Sequence, residues 1–285
     1  MAVADTLAPL VDVRFQFPWL VSGSDLVWAL YLFSIQIYCD FSGYSDIARG
    51  VSRLFGIDLA LNFRQPYFAT SIADFWRRWH ISLSTWFRDY LFPGSSQRTK
   101  RSRWMRPVNV RRVRHVRRVL VTFLVSGLWH GASWVFVAWG GLHGIYVSLQ
   151  SLVSDARVGA RIATVGAEPS RLKALLAMVA TFHLVTFTWL FFRAGSLVGA
   201  WNYLAALGRW QPAGSIAPLN ILGVRLPLLL MTLAAGEILQ ERTRSQTPIL
   251  EWSWLPQGLA YAYLAVAILV LGNPSGDVPF IYFQF

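Results

Sequence analysis

Two of the five histidines in this chain sit where an imidazole can do chemistry. His130 lies in Gly127-Leu128-Trp129-His130-Gly131-Ala132, within a run from Val119 to Val153 that carries no charged side chain. An ionisable group set in hydrocarbon is a candidate functional group by default. An imidazole in that setting is expected to be neutral, the form a general base needs, and the small neighbours Gly131 and Ala132 leave room for a substrate. The alternative is a neutral core histidine bonded to a carbonyl of the next helix. His80 lies in Trp76-Arg77-Arg78-Trp79-His80-Ile81-Ser82-Leu83-Ser84-Thr85-Trp86-Phe87-Arg88-Asp89-Tyr90. Arg77, Ser84 and Arg88 stand at i−3, i+4 and i+8 from it, a strip able to hold a phosphate-bearing or acidic group. The same strip would also serve as a face meeting lipid phosphates.

The remaining candidates are weaker. His143 also lies in the apolar run; thirteen residues from His130, it would face nearly the opposite way on an unbroken helix. It is expected to line the same cavity, whereas His183 reads as packing and His115 as part of a solvated basic run. No His-x-x-x-His or His-Glu-x-x-His spacing exists, so no metal site is expected. Ser126, Ser133 and Ser148 lack the Gly-x-Ser-x-Gly context of an exposed nucleophile. The single cysteine, Cys39, excludes a disulfide framework.

The elements that position these residues are membrane elements. Hydrophobic residues make up 55% of the chain and charged residues 14%, against about 25% charged in a soluble domain. The fourteen Trp and nineteen Phe suit bilayer interfaces. The formal charge of +12 invites a nucleic-acid reading, but ten of the 26 Lys and Arg fall between Arg98 and Arg118. A basic cluster between spans is what the positive-inside rule puts on the cytoplasmic face. No stacking or groove-reading motif accompanies it, so nucleic acid is not an expected partner.

Spans of about 20 apolar residues are expected from Trp19 to Cys39, within Val119 to Val153 (two spans, or one and a re-entrant piece, with Gly127, Gly131 and Gly140-Gly141 as the natural breaks), and from Leu172 to Phe192. Two more are expected at about Ile221 to Leu239 and Leu255 to Leu271. That makes about six spans in one all-α bundle over residues 1–285, with a basic cytoplasmic loop at about 94–118. Asp40 and Asp46 follow the first span in a polar loop, with Arg49 and Arg53 as partners for Asp46. From Ile72 to Tyr90 the 3.6-residue period predicts one interfacial or re-entrant amphipathic helix. Ile72, Phe75, Trp76, Trp79, Leu83, Trp86, Phe87 and Tyr90 share its apolar arc, with His80 and Ser84 at the edge.

Three blocks resemble the membrane-bound O-acyltransferases: Phe41-Ser42-Gly43-Tyr44-Ser45-Asp46-Ile47-Ala48, the Phe75 to Tyr90 stretch, and Gly127 to Ala132. The end of the chain, Pro279-Phe280-Ile281-Tyr282-Phe283-Gln284-Phe285, is similar to the alginate O-acetyltransferase branch. The resemblance implies that His130 matches the family's catalytic histidine and His80 its second functional histidine. It implies acyl transfer, in the form of acetylation, from acetyl-CoA or another acyl thioester as co-substrate. The acceptor would be a hydroxyl of an exported or envelope polysaccharide, or a periplasmic acyl-accepting protein. Arg77, Ser84, Arg88, Trp79, Trp129, Asp46 and His143 are the expected substrate-contacting residues. The expected location is the cell (inner or plasma) membrane, multi-pass. One candidate span precedes the Phe41 block where the family carries several, which implies the C-terminal portion of the family's fold and a separate chain as one source of the rest. The rival readings are a transport or export component relaying protons through its histidines, an inactive fragment of the family, and, last, a tethered nucleic-acid binder.

Overall fold

The computed structural model describes residues 2–91, 108–161, 170–209 and 225–272. Among them are ten α-helices and no strand: α1 Ala2–Gln16, α2 Gly23–Leu54, α3 Ile72–Arg78, α4 Ile81–Trp86, α5 Val108–His130, α6 Trp134–Arg161, α7 Arg171–Arg193, α8 Leu197–Leu207, α9 Arg225–Thr243 and α10 Trp254–Leu271. This is an all-α membrane bundle. Three of the helices, α2, α7 and α10, are both long and apolar enough to cross a bilayer. The other expected spans are helical over their described residues, but α5 opens on basic residues and α9, described from Arg225 onward, carries Arg225, Glu237, Glu241 and Arg242. The chain divides into two compact units, Met1–Ala60 with Val198–Phe285, and Leu61–Leu197.

In the first unit, α1 packs along α2. Ser22 caps α2 by accepting from the Asp25 amide at 3.2 Å. The expected end of this span near Cys39 is corrected: the helix runs on through Asp40 and Asp46 to Leu54. In an apolar setting each freed backbone group costs several kcal/mol, and no proline interrupts residues 40–54. The Asp46–Arg49 pair forms at 3.2 Å, whereas Arg53 turns to Asp58 at 3.3 Å. Tyr38 donates to Glu237 of α9 at 2.7 Å, and Tyr203 of α8 donates to the Leu26 carbonyl at 2.6 Å.

The second unit is built on the α5–α6 hairpin. The uncharged run breaks once, at Gly131–Ser133, where the Ser133 amide donates to the Gly131 carbonyl at 2.9 Å. Gly127 and Gly140, expected as breaks, lie inside helices. A Cβ on Gly127 would collide with the Phe136 carbonyl oxygen, and one on Gly140 with that of Phe123. Gly144 continues the seam, with Leu120 Cα 3.3 Å from where its Cβ would be. Small residues four apart let two membrane helices approach backbone to backbone. Gly140 and Gly144 on α6 carry that spacing and face α5 at Phe123, Gly127 and Leu120, whereas Gly131 does fall at the break as expected. The expected basic loop is helical from Val108 onward; its part from 94 to 107 lies outside the described residues.

The single helix expected from Ile72 to Tyr90 is corrected to two short ones and a wide final turn, Phe87–Leu91. Ser71 starts α3 by accepting from the Asp74 amide at 3.1 Å, and Gln150 of α6 accepts from the Ala73 amide at 3.1 Å. The break falls at His80, whose backbone is left-handed (φ 43°, ψ 54°). Its cause lies in the connector. The Arg64 amide donates to the Arg78 carbonyl at 2.9 Å, and the Ile81 amide to the Asn62 carbonyl at 3.0 Å. Asn62 Oδ1 then accepts from the Ser82 amide at 3.2 Å and its hydroxyl at 2.6 Å. These bonds satisfy the backbone groups that the break frees.

Candidate active site

The α5–α6 turn carries His130 and the α3–α4 break carries His80, and the second unit brings the two together. Trp129, 56% exposed, has its ring centroid 6.1 Å from His80 and 5.0 Å from His130. Both imidazoles thus lie against the one indole of Trp129. His130 is half-buried at the last position of α5. Trp139 and Phe192 meet its ring edge-on at 5.1 and 5.2 Å. Among the described residues, the buried Trp139 Nε1 has no hydrogen-bond partner. His80, outside the spanning helices, is buried, and that burial lowers its pKa to about 4. Its ring is therefore neutral at neutral pH.

The arginine strip faces a cavity of about 450 Å³ between α3–α4 and α5. Trp76, Arg77, Ile81, Ser84, Phe87 and Arg88 line one side, and His115, Arg118, Thr122, Phe123 and Ser126 the other. Asp74 lies 3.7 Å from Arg77, and Asp89 lies 3.0 Å from Arg88. Sequence reasoning found the first wall and missed the second. Its signal was the spacing 115, 118, 122 and 126, one face of a helix, hidden because His115 and Arg118 read as a solvated basic run. Ser126 stands one turn before His130 on α5, and Ile81 follows His80, but neither histidine nor Trp129 lines this cavity.

The other expected residues separate from this group. Trp79 is core, 2% exposed, against Phe63, Phe75 and Trp189 at 5.0, 5.5 and 5.0 Å. His143 is wholly buried and bonded at both ring nitrogens, to Trp76 Nε1 at 3.2 Å and Thr188 Oγ1 at 2.9 Å. It lines no part of the cavity just described. His183, expected to pack, is exposed on α7 and bonds the Val179 carbonyl at 2.7 Å. Asp46 belongs to the first unit, on α2. No cluster of three metal-binding side chains occurs among the described residues.

The profile of the membrane-bound O-acyltransferase family matches residues 14–192. A probable alginate O-acetylase AlgI of Azotobacter vinelandii is 38% identical over 213 residues, which are 73% of this chain and 38% of that protein. A probable alginate O-acetylase AlgI of Pseudomonas putida is 32% identical over 303 aligned residues, covering 99% of this chain and 58% of its own length. A peptidoglycan O-acetyltransferase of Helicobacter pylori is 34% identical over 210 residues, 73% of this chain and 36% of that protein. The chain thus spans between 36% and 58% of the length of these three relatives. The matched region takes in the Phe41, Trp76 and Trp129 blocks together with the whole second unit up to Phe192, and this chain belongs to the membrane-bound O-acyltransferase family.

Proposed function

We propose that this chain carries the acyl-transfer site of a multi-pass inner-membrane enzyme. That enzyme moves an acetyl group from an activated thioester to hydroxyls of an exported or envelope polysaccharide. The observation that carries the reading is the meeting of His130 and His80 around Trp129, at two helix breaks. His130 takes the proton of the acceptor hydroxyl as its oxygen attacks the thioester carbonyl carbon, forming the new C–O bond. The tetrahedral intermediate collapses, the C–S bond breaks, and the imidazolium returns the proton to the departing thiolate. His80, held neutral by burial, orients the acceptor across Trp129. Arg77, Arg88 and Arg118 suit the phosphates of a thioester donor bound in the cavity.

The test is ester-linked acetyl on envelope polysaccharide in cells lacking their own acetylating membrane enzyme. These cells would express this chain together with any in-frame coding sequence before Met1. Acetyl that appears with the native chain and vanishes with His130→Ala at equal membrane abundance supports the reading. Acetyl that persists with His130→Ala overturns it. Loss of solute flux without loss of acetyl would favour a transport component instead.

A further inference from the structure

We infer that His143 is a positioning residue for His130, acting through a fixed ring tautomer held by Thr188; this rests on the transferase reading above. An indole nitrogen only donates, so the Trp76 Nε1 contact at 3.2 Å makes His143 Nδ1 an acceptor. The ring proton therefore sits on Nε2 and is donated to Thr188 Oγ1 at 2.9 Å. The Thr188 hydroxyl passes its own hydrogen to the Val185 carbonyl at 2.7 Å. Each donor of the chain Trp76–His143–Thr188–Val185 then has one acceptor, and all three bonds run in one direction. A second proton on the ring would set two donors against each other at Nδ1. His143 is thereby excluded as a general base or a proton relay, and its function is mechanical.

What it holds is the wall behind His130. Trp139 stands edge-on to His143 at 5.0 Å and edge-on to His130 at 5.1 Å. Trp76 packs edge-on against both Trp139, at 5.8 Å, and His143, at 5.0 Å. The His143 ring is stacked between Phe75 at 6.3 Å and Phe123 at 6.0 Å. One imidazole on α6 thus ties α3 and α7 to the indole whose ring packs edge-on against His130. Aromatic packing alone leaves a ring free to turn about its own axis, whereas two directed hydrogen bonds do not.

Thr188 separates this role from packing. Thr188→Val keeps the shape and removes the acceptor for Nε2–H, while Thr188→Ser keeps the hydroxyl and changes the shape. With the protein in native membranes, Thr188→Val is expected to lower kcat roughly ten- to a hundredfold with KM little changed. Thr188→Ser is expected to stay within about threefold of the native rate, and both variants to keep the native pH profile. The opposite order, Val active and Ser impaired, shows simple packing and overturns the proposal. Nitrogen-15 histidine spectra of the purified protein give a readout that does not need activity. His143 should report the Nε2–H tautomer from about pH 5 to 8, and the His130 signal should move in Thr188→Val but not in Thr188→Ser. A His143 that titrates in that range, or a His130 signal indifferent to Thr188→Val, overturns the inference even if no transfer is detected. An inactive native protein with the predicted spectra would count against the transferase reading alone.

Discussion

Gly140 and Gly141 are neighbours in sequence, yet alanine at the two positions should have opposite effects. A Cβ on Gly140 would collide with the Phe123 carbonyl oxygen on α5 and crowd the Gly127 amide at 3.3 Å. Real Cβ contacts need at least 3.0 Å, so the two helices must part by about 1 Å, in an interior packed with few voids. Such overpacking costs about 1–3 kcal/mol, which outweighs the ~1 kcal/mol an alanine gains over glycine within a helix. A Cβ on Gly141 meets its nearest atom, Leu124 Cδ2, at an ordinary 3.8 Å. Gly141→Ala is therefore neutral or stabilising, by up to about 1 kcal/mol. The functional effect is larger than the structural one, because Gly127 lies in the same last turn of α5 as His130. A displacement of about 1 Å at a reacting group costs on the order of a hundredfold in rate. Thermal melts in detergent and acetyl transfer in membranes measure the two effects. If Gly140→Ala and Gly141→Ala behave alike in both assays, the close α5–α6 crossing described here is wrong.

Further consequences can be checked independently. His80→Asn retains a residue type tolerated in the left-handed region; it should insert normally and slow transfer by about tenfold, whereas unchanged transfer would remove His80 from the site. Since burial lowers the His80 pKa to about 4, the unfolded chain binds more protons between that value and about 6.5. Stability should be full above about pH 6.5 and fall as pH drops toward about 4, by up to ~1.4 kcal/mol per unit. His80→Asn should flatten that part of a stability-against-pH curve. Asn62→Ala removes the acceptor of two Ser82 hydrogen bonds and should destabilise the protein by about 1 kcal/mol, read as a lower melting temperature with reduced transfer. Arg118→Gln, at the cavity wall, should raise KM for a phosphate-bearing donor more than it lowers kcat; an unchanged KM would detach the cavity from the donor.

Apolar run length made α7 and α10 legible to within a residue or two, because twenty apolar residues have few alternatives in a bilayer. The helix break at His80 was not legible. The period from Ile72 to Tyr90 is continuous, and the bonds that split it come from Asn62 and Arg64, ten to twenty residues upstream. Gly140 illustrates the same limit, since a glycine that permits close approach and one that ends a helix look alike without the neighbouring helix. The pairing of His80 with His130 followed from resemblance rather than spacing. Trp79 shares an apolar arc with Trp76, and only the packing of Phe63 and Trp189 on it assigns Trp79 to the core. His143 was placed by its apolar surroundings but not by its bonds, which depend on Trp76 and Thr188, each more than forty residues away.

The central claim is that His130 is the base for acyl transfer. Its direct test is the appearance of labelled acetyl in ester linkage on envelope polysaccharide, supplied with a labelled acetyl thioester and membranes containing the chain. The native protein should carry out the transfer, and His130→Gln at the same membrane abundance should lose about a hundredfold or more. Transfer by His130→Gln at the native rate would contradict it.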